Sequence, residues 1–496
     1  MPVLQAFNVS HQFDNGETLF QSISCSMTKR RVGLVGRNGI GKSLLASILA
    51  GETQPASGVV TSPSSFMMYR QQPSDLLSGQ QSIAQFLGTD SVLHALKQLA
   101  AMGLPQDPDF SCARLSGGQL ARLQLWQLFE NEAELLILDE PSNHLDTEAK
   151  QWLIESMTHF GGAILLISHD RELLRAMEEI WELSGLGLQV FGGNYDVYAE
   201  QKRTELQAVE RQLAQVDKQK KRLAEQAQKN REKADQRAAQ GNKLRKDGSQ
   251  PKILLDGKKD SATASASNRN KNEQLRQVHL QAKERALQSR HEQLKAQKLY
   301  LADNPNRSRK VLSIQEGILP FGDSTPITLQ IFANDKVHLK GKNGCGKSTL
   351  LNTLLGELSL LSGELQVNTP LYYLDQHFGA VNPNLSLLEN VMETCQEMTE
   401  SEARTLLAGI GFRRDAVFRL GCVLSGGEKM KLAMLIVSHQ HSQPLLLLDE
   451  PDNHLDLESK IMLSQALNVY KGGFVLISHD QDFASESGVL RQIELT

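Results

Sequence analysis

No apolar run in this 496-residue chain is long enough to cross a bilayer. Runs such as Leu135–Leu138 and Leu445–Leu448 fall far short of the roughly 20 residues a spanning helix needs, which excludes such a helix. Cysteine is scarce: Cys25, Cys112, Cys345, Cys395 and Cys422 lie far apart with no CxxC pair. That spacing argues against zinc and iron–sulfur sites and fits a reducing compartment. The opening MPVLQAFNVSHQF has neither the basic start nor the apolar core of a signal peptide, so the expected location is cytoplasmic. With 40% hydrophobic and 22% charged residues, the composition is that of a globular chain of two or three domains.

The net charge of −4 hides a strong asymmetry. Residues 201–310 carry 28 Lys+Arg against 13 Asp+Glu, a surplus of 15, which leaves 25 basic against 44 acidic residues elsewhere. A basic segment between two acidic bodies suits either a solvated spacer or a surface that meets a polyanion. Leu206, Val209, Leu213, Val216 and Leu223 recur at heptad spacing on one expected helix of about 45 residues, and Leu280, Leu287, Leu294 and Leu301 on a second. Such narrow seams predict an antiparallel hairpin, with its turn within the Gly/Ser/Ala/Asn-rich stretch from Asp247 to Asn272. Ile253, Leu254 and Leu255 form an isolated apolar triplet there, suited either to insertion into a partner or to folding back on the hairpin. Tyr300 is the segment's one aromatic, so shape and backbone charge rather than base stacking are expected to dominate any nucleic-acid recognition.

Chemistry is written on either side of that segment, and written twice. The strand-like run Arg31–Val35 leads into Gly36-Arg-Asn-Gly-Ile-Gly-Lys-Ser43 and then an apolar helical pattern. This is the G-x4-G-K-S phosphate loop in its required strand–loop–helix context, where backbone N–H groups and a helix N-terminus converge on phosphate oxygens. The same signature returns 305 residues later as Gly341-Lys-Asn-Gly-Cys-Gly-Lys-Ser348. Leu115-Ser-Gly-Gly-Gln119 is matched by Leu424-Ser-Gly-Gly-Glu428, and Leu135-Leu-Ile-Leu-Asp-Glu140 by Leu445-Leu-Leu-Leu-Asp-Glu450. Ser142-Asn-His-Leu-Asp146 pairs with Asp452-Asn-His-Leu-Asp456, and Leu166-Ile-Ser-His-Asp170 with Leu476-Ile-Ser-His-Asp480. Ordered pairs at so constant an offset mean a duplicated domain. The expected fold is α/β: two P-loop domains, 1–199 and 311–496, joined by a basic helical linker, 200–310.

These motifs resemble the ATP-binding cassette superfamily over nearly all of 1–199 and 311–496. The resemblance implies ATP and Mg²⁺ as ligands. Gly36, Asn38, Gly39, Gly41, Lys42 and Ser43 would hold one set of phosphates, and Gly341, Asn343, Gly344, Gly346, Lys347 and Ser348 the other. Asp139 and Asp449 would join Ser43 and Ser348 on the metal. Gln71 and Gln376 match the family's metal- and water-sensing glutamine, with Gln72 as the alternative to Gln71. Glu140 and Glu450 would orient or deprotonate the attacking water, and His169 and His479 would contact the γ-phosphate. Phe13 stands where the family stacks an aromatic on adenine; in the second cassette Phe321 is the candidate, with core and turn as the alternative reading of Leu-Pro-Phe-Gly. The signature residues Ser116, Gly117 and Gly118, and likewise Ser425, Gly426 and Gly427, would each face nucleotide held by the opposite cassette. That arrangement gives two composite sites, Ser43 with Ser425 and Ser348 with Ser116. Both sites keep lysine, aspartate, glutamate and histidine, so both are expected to hydrolyse ATP.

The absence of a spanning segment, the Asn-His-Leu-Asp element and the charged linker together look like the ABC-F family. The resemblance implies a ribosome-associated translation factor, whose linker meets ribosomal RNA and peptidyl-tRNA, acting in housekeeping translation or antibiotic target protection. It also implies a monomer with its cassettes paired within the chain. Lys218, Lys220, Lys221, Arg222, Lys229, Arg231, Lys233, Arg237, Lys243, Arg245 and Lys246 are then the expected phosphate contacts. The alternative, an ATPase subunit serving a separate membrane protein, leaves the hairpin without a role. Chromosome and repair ATPases place a coiled coil inside one cassette, whereas here it lies between two. Cys345 sits inside the second phosphate loop, so ATP is expected to shield it from alkylation while any other exposed cysteine labels as before. Equal labelling of Cys345 with and without ATP would contradict nucleotide in that loop.

Overall fold

Continuous apolar strands build each half, because a strand covered on both faces must be apolar at every position. In this computed structural model the first half holds a six-stranded sheet ordered Phe66–Tyr69, Leu135–Asp139, Ala163–Ile167, Arg31–Gly36, Glu179–Ser184 and Gly187–Gly192. Its first five strands are parallel and the sixth is antiparallel. The second half repeats the plan with five parallel strands: Leu371–Leu374, Leu445–Asp449, Phe474–Ile477, Lys336–Lys340 and Arg491–Glu494. A three-stranded antiparallel sheet accompanies each. Leu4–Gln12 lies between Thr18–Met27 and Ser57–Thr61 in the first, and Lys310–Ile318 between Ile327–Phe332 and Ser362–Val367 in the second.

The structure describes all residues except 1, 14–15, 17, 71–80, 89–96, 98, 101–102, 144, 247–270, 272–273, 289, 292–309, 343, 376–378, 380, 396–397, 440–443, 454 and 496; of 237–238 and 240–246 it describes the backbone alone. The chain falls into two compact units: Met1–Tyr198 with Gln297–Thr496, holding both cassettes, and Ala199–Ala296. The long helix Tyr195–Lys246 starts ahead of residue 200.

Within the second unit that helix pairs with a helical stretch, 274–288. Val209, Val216 and Leu287 are buried against one another, flanked by Leu213 and Leu280. The direction is antiparallel, because Arg290 pairs with Glu205 at 2.7 Å while Lys220 pairs with Glu284 further along. Lys220 therefore departs from the expected row of free cations, since its ammonium closes an ion pair inside the hairpin. Lys218, Lys221, Arg222, Lys229, Arg231 and Lys233 are exposed. The hairpin tip, Leu294, Tyr300 and Leu301 lie outside the described residues, as do the side chains of Arg237, Lys243, Arg245 and Lys246.

Phe474 opens a central strand of the second cassette, is fully buried and lies under the Lys336 ammonium at 5.6 Å. Phe474→Ala leaves a cavity the neighbouring strands cannot close, so urea unfolding is expected to show a loss of about 3–5 kcal/mol.

Candidate active site

Each phosphate loop closes on its own lysine. Lys42 Nζ donates to the carbonyls of Gly36 at 2.9 Å and Arg37 at 3.2 Å, and Lys347 Nζ to those of Gly341 at 2.6 Å and Lys342 at 3.1 Å. Burial lowers the Lys42 pKa, against the pull of Glu140, Asp456 and Asp139. Gly36 and Gly341 start the loops at φ 154° and 159°, and a Cβ at Gly36 would lie 2.4 Å from the Leu183 carbonyl oxygen. Gly41 and Gly346 cap the helices Lys42–Leu49 and Lys347–Leu355 in the left-handed region. At Gly39 and Gly344 a Cβ would meet nothing within 4 Å, so the loop is open at that point. These loops fit phosphate: a helix N-terminus, a lysine bonded to replaceable loop oxygens, and room above the glycines.

The strand ends deliver the carboxylates. Ser348 Oγ donates to Asp449 Oδ2 at 3.1 Å, and the Ser43 hydroxyl bonds Asp139 in the same way. Burial raises both aspartates above their ordinary pKa, with the serine bond pulling the other way. A hydroxyl beside one carboxylate fits Mg²⁺, which fills most of its octahedron with phosphate oxygens and water rather than protein. Among the described residues, no group of three or more His, Cys, Asp or Glu side chains could hold a metal by itself.

Glu140 and Glu450 follow in left-handed backbone at φ 49° and 47°, a conformation that costs an ordinary side chain energy and accumulates at functional sites. The opposite strand sustains it, for Glu140 N–H donates to Ile167 O at 2.9 Å and Glu450 N–H to Ile477 O at 3.0 Å. His169 Nε2 stands 3.3 Å from Glu140 Oε1, and His479 Nε2 3.5 Å from Glu450 Oε1. Neither approach has hydrogen-bond alignment: Glu140 Oε1 and His479 Nε2 have no hydrogen-bond partner among the described residues. Burial pushes the Glu140 carboxyl up to about 7 against the pull of Lys42, and holds the His169 imidazole well below its ordinary value. A neutral imidazole and a poorly satisfied carboxylate facing one pocket are suited to receive a polar ligand.

The two cassettes meet around these groups. Asn38 N–H in the first phosphate loop donates to Asp456 Oδ2 of the second cassette at 3.0 Å, with Arg37 3.7 Å from Glu458. Reciprocally, Lys342 in the second loop pairs with Glu148 of the first cassette at 2.8 Å. A cavity of about 180 Å³ is lined by Glu140, His169, Glu450 and His479 together with the buried Lys150 and Lys460.

The signature serines Ser116 and Ser425 cap the helices Gly117–Glu130 and Gly426–Ser438, so Gly117, Gly118, Gly426 and Gly427 form the first turns. Glu428, which replaces Gln119, accepts from Ser425 Oγ at 3.0 Å and pairs with Arg419 at 2.8 Å. Phe13 is exposed, edge-on to His11 at 5.5 Å, and Phe321 is exposed as well. Gln71, Gln72, Gln376 and Asn343 lie outside the described residues.

A family model described as ABC transporter matches residues 21–143 and 324–453. This chain is an ABC-F protein of the ATP-binding cassette superfamily, and an ATPase. It is 30% identical to the ATP-binding protein Uup of Escherichia coli over 92% of its own length and 74% of that protein's. It is 27% identical to the ribosome protection protein VmlR of Bacillus subtilis over 97% and 84%. The fold is also that of an archaeal ribosome recycling factor, aABCE1, crystallised with the ribosomal stalk protein aP1, at a TM-score of 0.60 and 17% identity, covering 98% of this chain and 87% of that one.

Sequence reasoning missed the residues that join this ABC-F protein's cassettes. Asp456 was visible only as the end of Asn-His-Leu-Asp; the signal that could have found it is its place as N-cap of the helix Leu457–Val469. Arg171 and Arg175 had no motif at all. Arg171 Nη1 bonds Glu486 at 2.6 Å, and Arg175 takes Asp482 with two nitrogens, at 2.7 and 3.1 Å.

Glu140 allows a sign to be worked out. Its folded-state pKa of about 7 exceeds the ordinary 4.5, so between those values the folded chain holds a proton that the unfolded chain lacks, and folding is disfavoured progressively as pH rises. Glu140→Gln removes that penalty. Urea unfolding is expected to show little difference between variant and parent at pH 4.5, and a variant more stable by about 3 kcal/mol at pH 8. A gap independent of pH would contradict a burial-raised Glu140.

Proposed function

We propose that this chain binds and hydrolyses ATP with Mg²⁺ at two composite sites, and that nucleotide-driven closure of the cassettes governs binding to the ribosome and so modulates translation. The observation that carries this reading is the pairing of two complete cassettes around one basic helical hairpin. The matches to a ribosome protection protein and to a ribosome recycling factor's fold support it. Domain boundaries at 1–199, 200–310 and 311–496 follow from the same reading.

Lys42 and Lys347 exchange loop carbonyls for β- and γ-phosphate oxygens, and the loop amides receive the rest. Ser43 with Asp139, and Ser348 with Asp449, would hold Mg²⁺, with Gln71 and Gln376 as further ligands, and the metal would supply charge neutralisation on the phosphates. Glu140 and Glu450 orient the attacking water and accept its proton, while His169 and His479 steady the γ-phosphate. Catalysis of this kind is chiefly positioning and electrostatics. Lys431, in the second turn of the helix that Ser425 caps, is buried and feels the Arg37 charge, both of which lower its pKa, and this supports the placing of Ser425 beside the first phosphate loop. Phe13 and Phe321, both exposed, are positioned to receive adenine.

The hairpin meets ribosomal RNA and peptidyl-tRNA by shape and backbone charge, through Lys221, Arg222, Lys229, Arg231 and Lys233. The chain works as a cytoplasmic monomer. Antibiotic target protection and housekeeping translation share this mechanism. Among the described residues no helix is long and apolar enough to cross a membrane.

The Glu140→Gln, Glu450→Gln double variant is expected to bind ATP and turn it over at least about a hundredfold more slowly. In sedimentation it should accumulate on ribosomes with ATP, and the binding should fall steeply with salt. Reversing Lys221, Arg222 and Lys229 weakens pelleting without lowering basal ATPase activity. Lys220 is left intact because its loss would break the hairpin pair with Glu284. A trapped variant that stays in the supernatant at low salt but partitions with membranes contradicts the ribosomal reading and favours a transporter subunit.

A further inference from the structure

The two metal-side carboxylates are not equivalent. Asp449 Oδ2 accepts two hydroxyl bonds, from Ser348 at 3.1 Å and from Tyr373 Oη at 3.2 Å. Tyr373 is the third residue of the strand Leu371–Leu374, paired alongside Leu445–Asp449. Met68 holds the matching place in Phe66–Tyr69, beside Asp139, and has no hydroxyl to give. The Tyr373 ring packs against the core that includes Leu339, Leu351 and Leu447, so its hydroxyl is delivered from a fixed direction.

We propose that Tyr373 is a positioning residue for Mg²⁺ at the second site, holding the Asp449 carboxylate in its ligating orientation so that this site retains metal and nucleotide more tightly than the first. The inference rests on the proposed roles of Ser348 and Asp449. A carboxylate oxygen has room for two directed partners. A Ser348 hydroxyl that ligates the cation through a lone pair still has its proton for Asp449. The Tyr373 bond remains and keeps the carboxylate from rotating. Outer bonds of this kind typically carry 10–100-fold in metal affinity. At the first site Asp139 accepts the Ser43 hydroxyl, and Met68, at the matching strand position, offers no second one.

Tyr373→Phe removes the hydroxyl and leaves the packed ring, which makes it a clean test. The full-length chain carrying Lys42→Ala, to silence the first site, is titrated with trinitrophenyl-ATP in EDTA and again in Mg²⁺. The expected result is an unchanged Kd in EDTA and a loss of about tenfold in the tightening that Mg²⁺ brings. Asp449→Asn in the same background should abolish that tightening. If Asp449→Asn abolishes it while Tyr373→Phe titrates like its parent, the role given to Tyr373 is wrong. Equal weakening by Tyr373→Phe with and without Mg²⁺ also overturns it, since that marks a disturbed nucleotide pocket. Retention of the Mg²⁺ effect in Asp449→Asn overturns the metal reading itself, and the inference with it.

Discussion

Two buried lysines hold the catalytic region together. Lys150 lies 2.6 Å from Asp170 and Lys460 lies 3.2 Å from Asp480, with side chains 7–8% exposed on the lysines and 5–7% on the aspartates. Each pair ties the helix after Asn-His-Leu-Asp to the turn after Ser-His-Asp. A charge that deep is tolerable only when paired, and loss of one partner commonly costs about 3–5 kcal/mol. Burial pulls the Lys150 and Lys460 ammonium pKa values down, yet the aspartates outweigh it and raise both above the ordinary value. Both ammonium groups therefore stay charged and fix the turns from which His169 and His479 reach the glutamates. The strained backbone of Glu140 and Glu450 persists because these turns and the neighbouring strands leave it no alternative.

Symmetry ends inside that region. Asp452 stands where the first copy has Ser142, is 2% exposed, and has Oδ1 without a hydrogen-bond partner among the described residues. Two lysines thus meet three aspartates, and burial pushes Asp452 up to about 6 despite Lys460 at 4.0 Å. The Glu428 carboxylate, unlike Gln119, takes the hydrogen of its signature serine. Burial would raise its pKa, but the Ser425 backbone N–H and Arg419 overcome that and lower it. The two copies keep the same lysine, aspartate, glutamate and histidine of their motifs and differ in the residues that support them.

What the sequence made legible follows the same division. Phosphate loops, strand-end carboxylates and the double α/β plan depend on local pattern: glycines where backbone must turn, apolar runs where strands are covered on both faces. Val209, Val216 and Leu287 obeyed the heptad rule because a two-helix seam is a one-dimensional problem. The contacts between cassettes were not legible. Asp456 on Asn38, Glu148 on Lys342 and Arg171 on Glu486 join residues hundreds of positions apart with no periodicity to betray them. Lys220 was read as a free cation for a related reason, since only the register of the opposing helix puts Glu284 beside it.

Arg175 joins both cassettes to the start of the long helix. Two of its nitrogens grip Asp482 of the second cassette, and its Nε bonds Asp196, in the first turn of the long helix, at 3.0 Å. Arg171 lies nearby, with its guanidinium 5.9 Å from the Tyr195 ring centre while it holds Glu486. Both arginines belong to the short helix Arg171–Arg175 that follows His169 and Asp170. The second copy has Gln481 and Ser485 in their places, so this junction is built only on the side from which the long helix departs. Asp482 and Asp196 thus share one side chain of the helix that follows His169. A guanidinium's fixed fork transmits direction as well as charge, which a flexible ammonium at that position would not do.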